Sequence, residues 1–174
     1  MGIFEDIKEN TITELELSVP MDEVADDSHE FFKALGENTS IESVKFNEDF
    51  TGDLRSDTRA QLLSAIGSMK KIKEVHLADG LFQIEDIGDM VKRSPELRAL
   101  TMKDIVLQGT EAHFSAMEKA LYGAPNLKEY EMIDCDAAVK GCNLDGLVKA
   151  GQKCSTGQGS IADPTHKMQS AKTA

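Results

Sequence analysis

Ile72-Lys73-Glu74-Val75-His76-Leu77 decides the fold, because it is one of five such segments. Its apolar residues fall at the first, fourth and sixth places. The same pattern appears as Ile12-x-x-Leu15-x-Leu17, Ile41-x-x-Val44-x-Phe46, Leu97-x-x-Leu100-x-Met102 and Leu127-x-x-Tyr130-x-Met132. Their first residues are separated by 29, 31, 25 and 30 positions. A near-fixed spacing in this range marks stacked structural repeats rather than an ordinary globular layout.

The hydrophobic period changes within each unit. Glu14-Leu15-Glu16-Leu17, Ser43-Val44-Lys45-Phe46, Glu74-Val75-His76-Leu77 and Glu129-Tyr130-Glu131-Met132 alternate polar and apolar residues. Such alternation predicts strands with one buried and one wet face. Helical spacing follows each strand. It is carried by Phe31, Phe32 and Leu35, then Leu62, Leu63 and Ile66, then Ile87, Met90 and Val91, then Met117 and Leu121. Breakers close the helices: Gly36, Ser94-Pro95 and Gly123-Ala124-Pro125. The lead-in Glu9-Asn10-Thr11-Ile12 is echoed by Glu37-Asn38-Thr39-Ser40-Ile41, so one helix-to-strand turn is reused.

Alternating strands and helices fit either a doubly wound sheet or a horseshoe solenoid. A doubly wound sheet is covered by helices on both faces, and its strands read as continuous apolar runs. Glu14, Glu16, Lys45, Glu74, Lys103, Glu129 and Glu131 would then be buried, at a cost of several kcal/mol each, on the order of the penalty for an unpaired interior charge. No strand leads into a phosphate-cradling glycine loop, and Asp79-Gly80 and Gln108-Gly109 read as isolated turns. The reading is an α/β fold: a short right-handed solenoid of about five parallel strands on the concave side and helices on the convex side.

These segments resemble the L-x-x-L-x-L core of leucine-rich repeats. The period and the full helix per unit are similar to the ribonuclease-inhibitor-like subclass, which includes cytosolic ribonuclease inhibitors, Ran GTPase-activating proteins and tropomodulin repeat domains. The turn Asn38-Thr39-Ser40-Ile41 looks most like the tropomodulin type. The resemblance covers residues 9 to 136. That family usually places Asn or Cys eight residues after the first Leu. Here Pro20, Asp49, Gly80, Ile105 and Cys135 occupy those places, so only Cys135 conforms and the loops after the strands should vary in shape.

The expected organisation is a leucine-rich-repeat domain over 1–150, with a short N-terminal cap at 1–9 and a C-terminal capping helix at 137–150. Residues 151–174, rich in Gly, Ser, Thr, Gln and Lys, read as a disordered tail. The formal charge of −12 argues against a nucleic-acid or anionic-membrane partner, which needs a basic surface. It is compatible with a protein partner of basic surface. Cys135, Cys142 and Cys154 all lie in the last quarter and cannot staple the repeats, which suits a reducing, cytoplasmic compartment. No apolar run is long enough to span a bilayer, and the first residues lack the features of a signal peptide. The oligomeric state is not readable.

Outward strand positions form two columns: Glu14, Ser43, Glu74, Ala99, Glu129 and Glu16, Lys45, His76, Thr101, Glu131. Ser18, Asn47, Ala78, Lys103 and Ile133 extend them. The candidate partner-binding set is Glu14, Glu16, Lys45, Asn47, Glu74, His76, Thr101, Lys103, Glu129 and Glu131. His76 near Glu74 reads as a surface histidine, because neither a nucleophile nor an oxyanion donor accompanies it. His29, His113 and His166 lack metal-ligand spacing, as do the cysteines. Asp22-Glu23 and Asp26-Asp27 read as favourable charges at a helix start. Phe50, Leu81-Phe82 and Val106-Leu107 read as closing the solenoid interior beneath the loops. No catalytic residue, metal or cofactor is expected. The function that follows is a non-catalytic interaction or assembly scaffold. Its alternative, implied by the resemblance, is a regulator of a partner enzyme, either GTPase-activating or inhibitory.

Overall fold

The computed structural model describes residues 2–52, 54–138 and 147. The elements in chain order are α1 (Ile3–Lys8), β1 (Glu14–Leu17), α2 (Met21–Val24), α3 (Ser28–Glu37), β2 (Ser43–Phe46), α4 (Glu48–Thr51), α5 (Ser56–Ser68), β3 (Glu74–Gln83), α6 (Ile84–Lys92), β4 (Ala99–Gln108), α7 (Glu111–Gly123), β5 (Glu129–Ile133) and β6 (Asp136–Ala137). The sheet order β1-β2-β3-β4-β5 repeats the sequence order, and every pairing is parallel. A doubly wound sheet would reverse its winding at a switch point. A solenoid adds each unit beside the last, as in this chain.

Register follows from the repeat. Leu15, Val44, Val75, Leu100 and Tyr130 pair in one row and are all 1% exposed or less. The helices back this row. Phe31 and Leu35 of α3, Leu62 and Ile66 of α5, Ile87 and Met90 of α6, and Met117 and Leu121 of α7 are all buried. Each such side chain taken from water stabilises by roughly 1.5–3 kcal/mol before chain entropy is set against it. Phe50, Phe82 and Leu107 are fully buried under the loops, and Leu81 and Val106 are half-buried. Phe50 stacks on Phe46 with ring centroids 5.2 Å apart.

The first and second units are tied by asparagines. Asn38, 2% exposed, donates through Nδ2 to the Ile7 carbonyl at 2.9 Å. Its Oδ1 accepts from the N–H groups of Ser40 at 2.8 Å and Ile41 at 2.7 Å. Asn10, with φ of 55°, accepts from Thr39 N–H at 2.7 Å. The echoed Asn-Thr lead-ins are therefore two halves of one joint.

The long strands β3 and β4 depart from expectation. Asp79, Asp104 and Asp134 adopt φ values of 52°, 56° and 52°. Aspartate is among the few residues that tolerate this left-handed conformation. Beyond the bend the chain pairs again, Gly80 with Ile105 through Gln83 with Gln108, and β6 continues the ladder on β4. The first two units insert α2 and α4 instead. Ala137, placed by sequence at the start of a capping helix, pairs with Leu107 in β6. The rest of that helix lies outside the described residues except Leu147, which is buried, and the 151–174 tail lies wholly outside them.

Candidate interaction surface

Alternation along each strand turns one set of side chains away from the helices. The observed register places Glu14 beside Ser43, then Glu74, Ala99 and Glu129. It places Glu16 beside Lys45, then His76, Thr101 and Glu131. Both columns stand as expected. Glu14, Glu16, Lys45, Lys103 and Glu129 are exposed, while Ser43, Glu74, His76, Thr101 and Glu131 are half-buried among neighbours. Ala99 is buried because its methyl lies between the longer Glu74 and Glu129. Lys103 pairs in register with Ala78 and Ile133. Asn47 stands apart: it follows β2 and its side chain caps α4, accepting from Asp49 N–H at 3.1 Å.

Two ion pairs edge this face. Arg98 Nη2 lies 2.9 Å from Glu74 Oε2, and Lys73 Nζ lies 3.4 Å from Glu42 Oε1. Exposed pairs of this kind are worth about 0–1 kcal/mol, so both groups remain available to a partner. The middle column runs Glu, Lys, His, Thr, Glu and carries charges of both signs within adjacent strands.

Parallel strands force every helix to run the same way. Carboxylates that suit helix N-termini and cations that suit C-termini therefore gather on opposite edges. The strand-to-helix edge holds Asp22, Glu23, Glu48, Asp49, Glu85, Asp86 and Glu111 in first turns. Asp27 caps α3, accepting from His29 N–H at 2.9 Å and Glu30 N–H at 3.3 Å. The opposite edge carries Lys70, Lys71, Lys92, Arg93, Arg98 and Lys128. A protein of net charge −12 thus keeps a basic border.

Arg59 was not legible as a structural residue. Its Nη2 donates to the Thr51 carbonyl at 3.0 Å and its Nη1 to the Leu81 carbonyl at 3.3 Å. Its guanidinium lies 5.6 Å from the Phe82 ring centroid and fills the space over Gly80. Burial pulls its pKa below the usual arginine value, opposed by nearby Asp79. Arg59 thereby locks α5 to the bend in β3.

Cys135 is a core residue, as expected from its place in the repeat. Its thiol is 2% exposed and donates to the Met102 carbonyl at 3.3 Å. Burial pushes its pKa up to about 12, with Asp104 and Asp134 adding to the rise and contacts with Ile105 and Ile133 opposing it. Neutral-thiol stability is full below the ordinary value of 9.0 and is lost as pH rises toward about 12. Peptide-resolved alkylation at pH 8 should leave Cys135 unmodified in the folded protein and modify it in urea. Equal labelling in both states would contradict its buried placement.

Among the described residues no group of three or more His, Cys, Asp or Glu is arranged to hold a metal. His113 instead completes a capping box with Thr110 at the start of α7, accepting from Thr110 N–H at 3.3 Å. Among those residues no helix is long and apolar enough to cross a membrane.

No family model and no curated protein matches the sequence. Solved structures match its fold. The structure titled leiomodin-1 actin-binding site 2 superimposes with a TM-score of 0.58 at 14% identity, covering 94% of this chain and 90% of that one. The C-terminal domain of Caenorhabditis elegans tropomodulin gives a TM-score of 0.63 at 12% identity, covering 88% and 89%. Likeness at this identity establishes the fold: a leucine-rich-repeat-like solenoid with a parallel sheet of five consecutive strands, β1 to β5, and the short β6 beside β4.

Proposed function

We propose that the chain is a non-catalytic protein-interaction module whose open sheet face meets its partner. The observation that carries this reading is the lateral register of polar side chains Glu16, Lys45, His76, Thr101 and Glu131 across five strands, flanked by a second column that is polar except at Ala99. A helix-backed sheet holds the backbone of these groups on a rigid frame, so binding must order their side chains but not the main chain. The face has carboxylates at both ends and Lys45, His76 and Lys103 between them, where the one central carboxylate, Glu74, is paired with Arg98. That arrangement selects a partner with basic groups flanking an acidic centre. Leiomodin-1, a structural neighbour, carries this fold in a part named for binding actin, which makes actin the first partner to test.

The test is cosedimentation with filamentous actin and quantitative capture from cell extract, comparing the native chain with a fourfold variant. The variant combines Lys45→Glu, Glu74→Lys, Lys103→Glu and Glu131→Lys, all at outward positions. Loss of the captured partners by at least about tenfold is expected, since reversed charge pairs each cost on the order of 1 kcal/mol or more. Retention of every partner at unchanged affinity would remove the sheet face as the docking surface.

A further inference from the structure

A second surface lies on the helical side, between α6 and α7. Gly88 approaches Met117 closely at the middle of this helix pair; a Cβ at Gly88 would lie 3.5 Å from the Met117 Cα. Towards the helix C-termini the pair opens into a groove of about 350 Å³. Its walls are mostly apolar, formed by Val91, Pro95, Ala120, Ala124 and Pro125. Lys92 and Lys119 flank it, both exposed, and neither has an ion-pair partner among the described residues. Tyr122, 50% exposed, is one of two large exposed apolar side chains among those residues and lies on the same helix three residues beyond Lys119.

The groove is polarised along its length. At the N-terminal end of the same helix pair, Glu85, Asp86 and Asp89 gather around a separate hollow that shares Lys92 and Ala116 with the first. Three carboxylates are crowded there, and burial, then Glu85 and Asp89, raise the Asp86 pKa above the usual carboxylate value. An incoming chain can therefore place its acidic groups only over the basic end.

We propose that the basic end of the α6–α7 groove is a docking site for an acidic, partly apolar peptide segment of another protein. The apolar walls take leucine-sized side chains, and Lys92 and Lys119 pair with flanking carboxylates. Charge complementarity selects this occupant. The chain's own residues 151–174 hold Lys153, Lys167 and Lys172 against Asp163 alone, so they are repelled from this end. A second copy, whose net charge is −12, meets far more long-range repulsion than a short acidic peptide does.

The test uses fluorescence anisotropy with a short labelled peptide alternating glutamate and leucine, and a lysine–leucine peptide as control. The glutamate–leucine peptide should bind the full chain with a marked salt dependence, and any binding of the control to the acidic surfaces should survive the change of Lys92 and Lys119. Lys92→Glu combined with Lys119→Glu should weaken binding by about tenfold or more, as expected for two rim charge pairs. Both positions are exposed, and unchanged circular dichroism would verify the fold. The fourfold sheet-face variant should bind this peptide as the native chain does, so failure of the groove is distinct from failure of the sheet-face reading. Absent binding, equal binding by the double lysine variant, or competition by self-association in sedimentation would each overturn the proposal.

Discussion

Asn38→Ala should destabilise the protein by about 3 kcal/mol, because it orphans the buried Ile41 N–H, takes a partner from the half-buried Ser40 N–H, and leaves the buried Ile7 carbonyl with the Asn10 N–H at 3.3 Å as its remaining donor. The Asn38 side chain satisfies the Ile7 carbonyl and the Ser40 and Ile41 N–H groups, at 2.9, 2.8 and 2.7 Å. Ile7 and Ile41 are buried, at 0% and 1% exposure, so water does not readily replace the lost bonds. An unsatisfied buried group costs about 1–3 kcal/mol, and partial relaxation brings the total below the simple sum. Asn38→Asp keeps the two acceptor contacts, loses the donor, and should fall between. Repeat units contact only their neighbours, so the loss should concentrate in α1 and β1. Urea unfolding gives the magnitude, and hydrogen exchange gives the location. A loss under about 1 kcal/mol, or one spread evenly over all units, would contradict the asparagine joint.

Gly80→Ala should have a comparable effect, about 3 kcal/mol, for a different reason. Gly80 has φ of 131°, a conformation that side chains rarely adopt, and an added Cβ would lie 2.6 Å from Arg59 Nη2. The substitution therefore strains the backbone and drives Arg59 from the Thr51 and Leu81 carbonyls. A double-mutant cycle separates the two causes. Arg59→Ala alone should be destabilising, yet in its presence Gly80→Ala should lose only the strain portion. Strict additivity of the two changes would show that Arg59 and Gly80 do not compete for one space.

The concave columns were legible because two local regularities agree. Period-two alternation assigns the face of each side chain, and near-constant repeat spacing aligns strand with strand. Glu16, Lys45, His76, Thr101 and Glu131 could be set side by side from their places in the repeat, and the observed register matches. The second leg of β3 and β4 was not legible. The bends at Asp79 and Asp104 interrupt the alternation, and Asp79-Gly80 looks like an ordinary turn. A signal was present: Asp falls seven residues after Ile72, Leu97 and Leu127, yielding Asp79, Asp104 and Asp134. The helices α2 and α4 are too short to leave a periodic trace. Arg59 and the α6–α7 groove arise from contacts between units, which a pattern within one unit does not encode.

The solenoid's open face is tested most directly by cysteine accessibility along β3 and its neighbours, in a background where the native cysteines are replaced. Lys45→Cys, Lys103→Cys and Glu129→Cys, at exposed outward positions, should react with a thiol reagent in the folded protein nearly as fast as in urea. Cysteines at Val75, Leu77, Leu100 and Met132 should be protected by orders of magnitude under the same conditions. Protection at both sets would mean that a second layer covers the sheet, which contradicts a solenoid backed by helices on one side only.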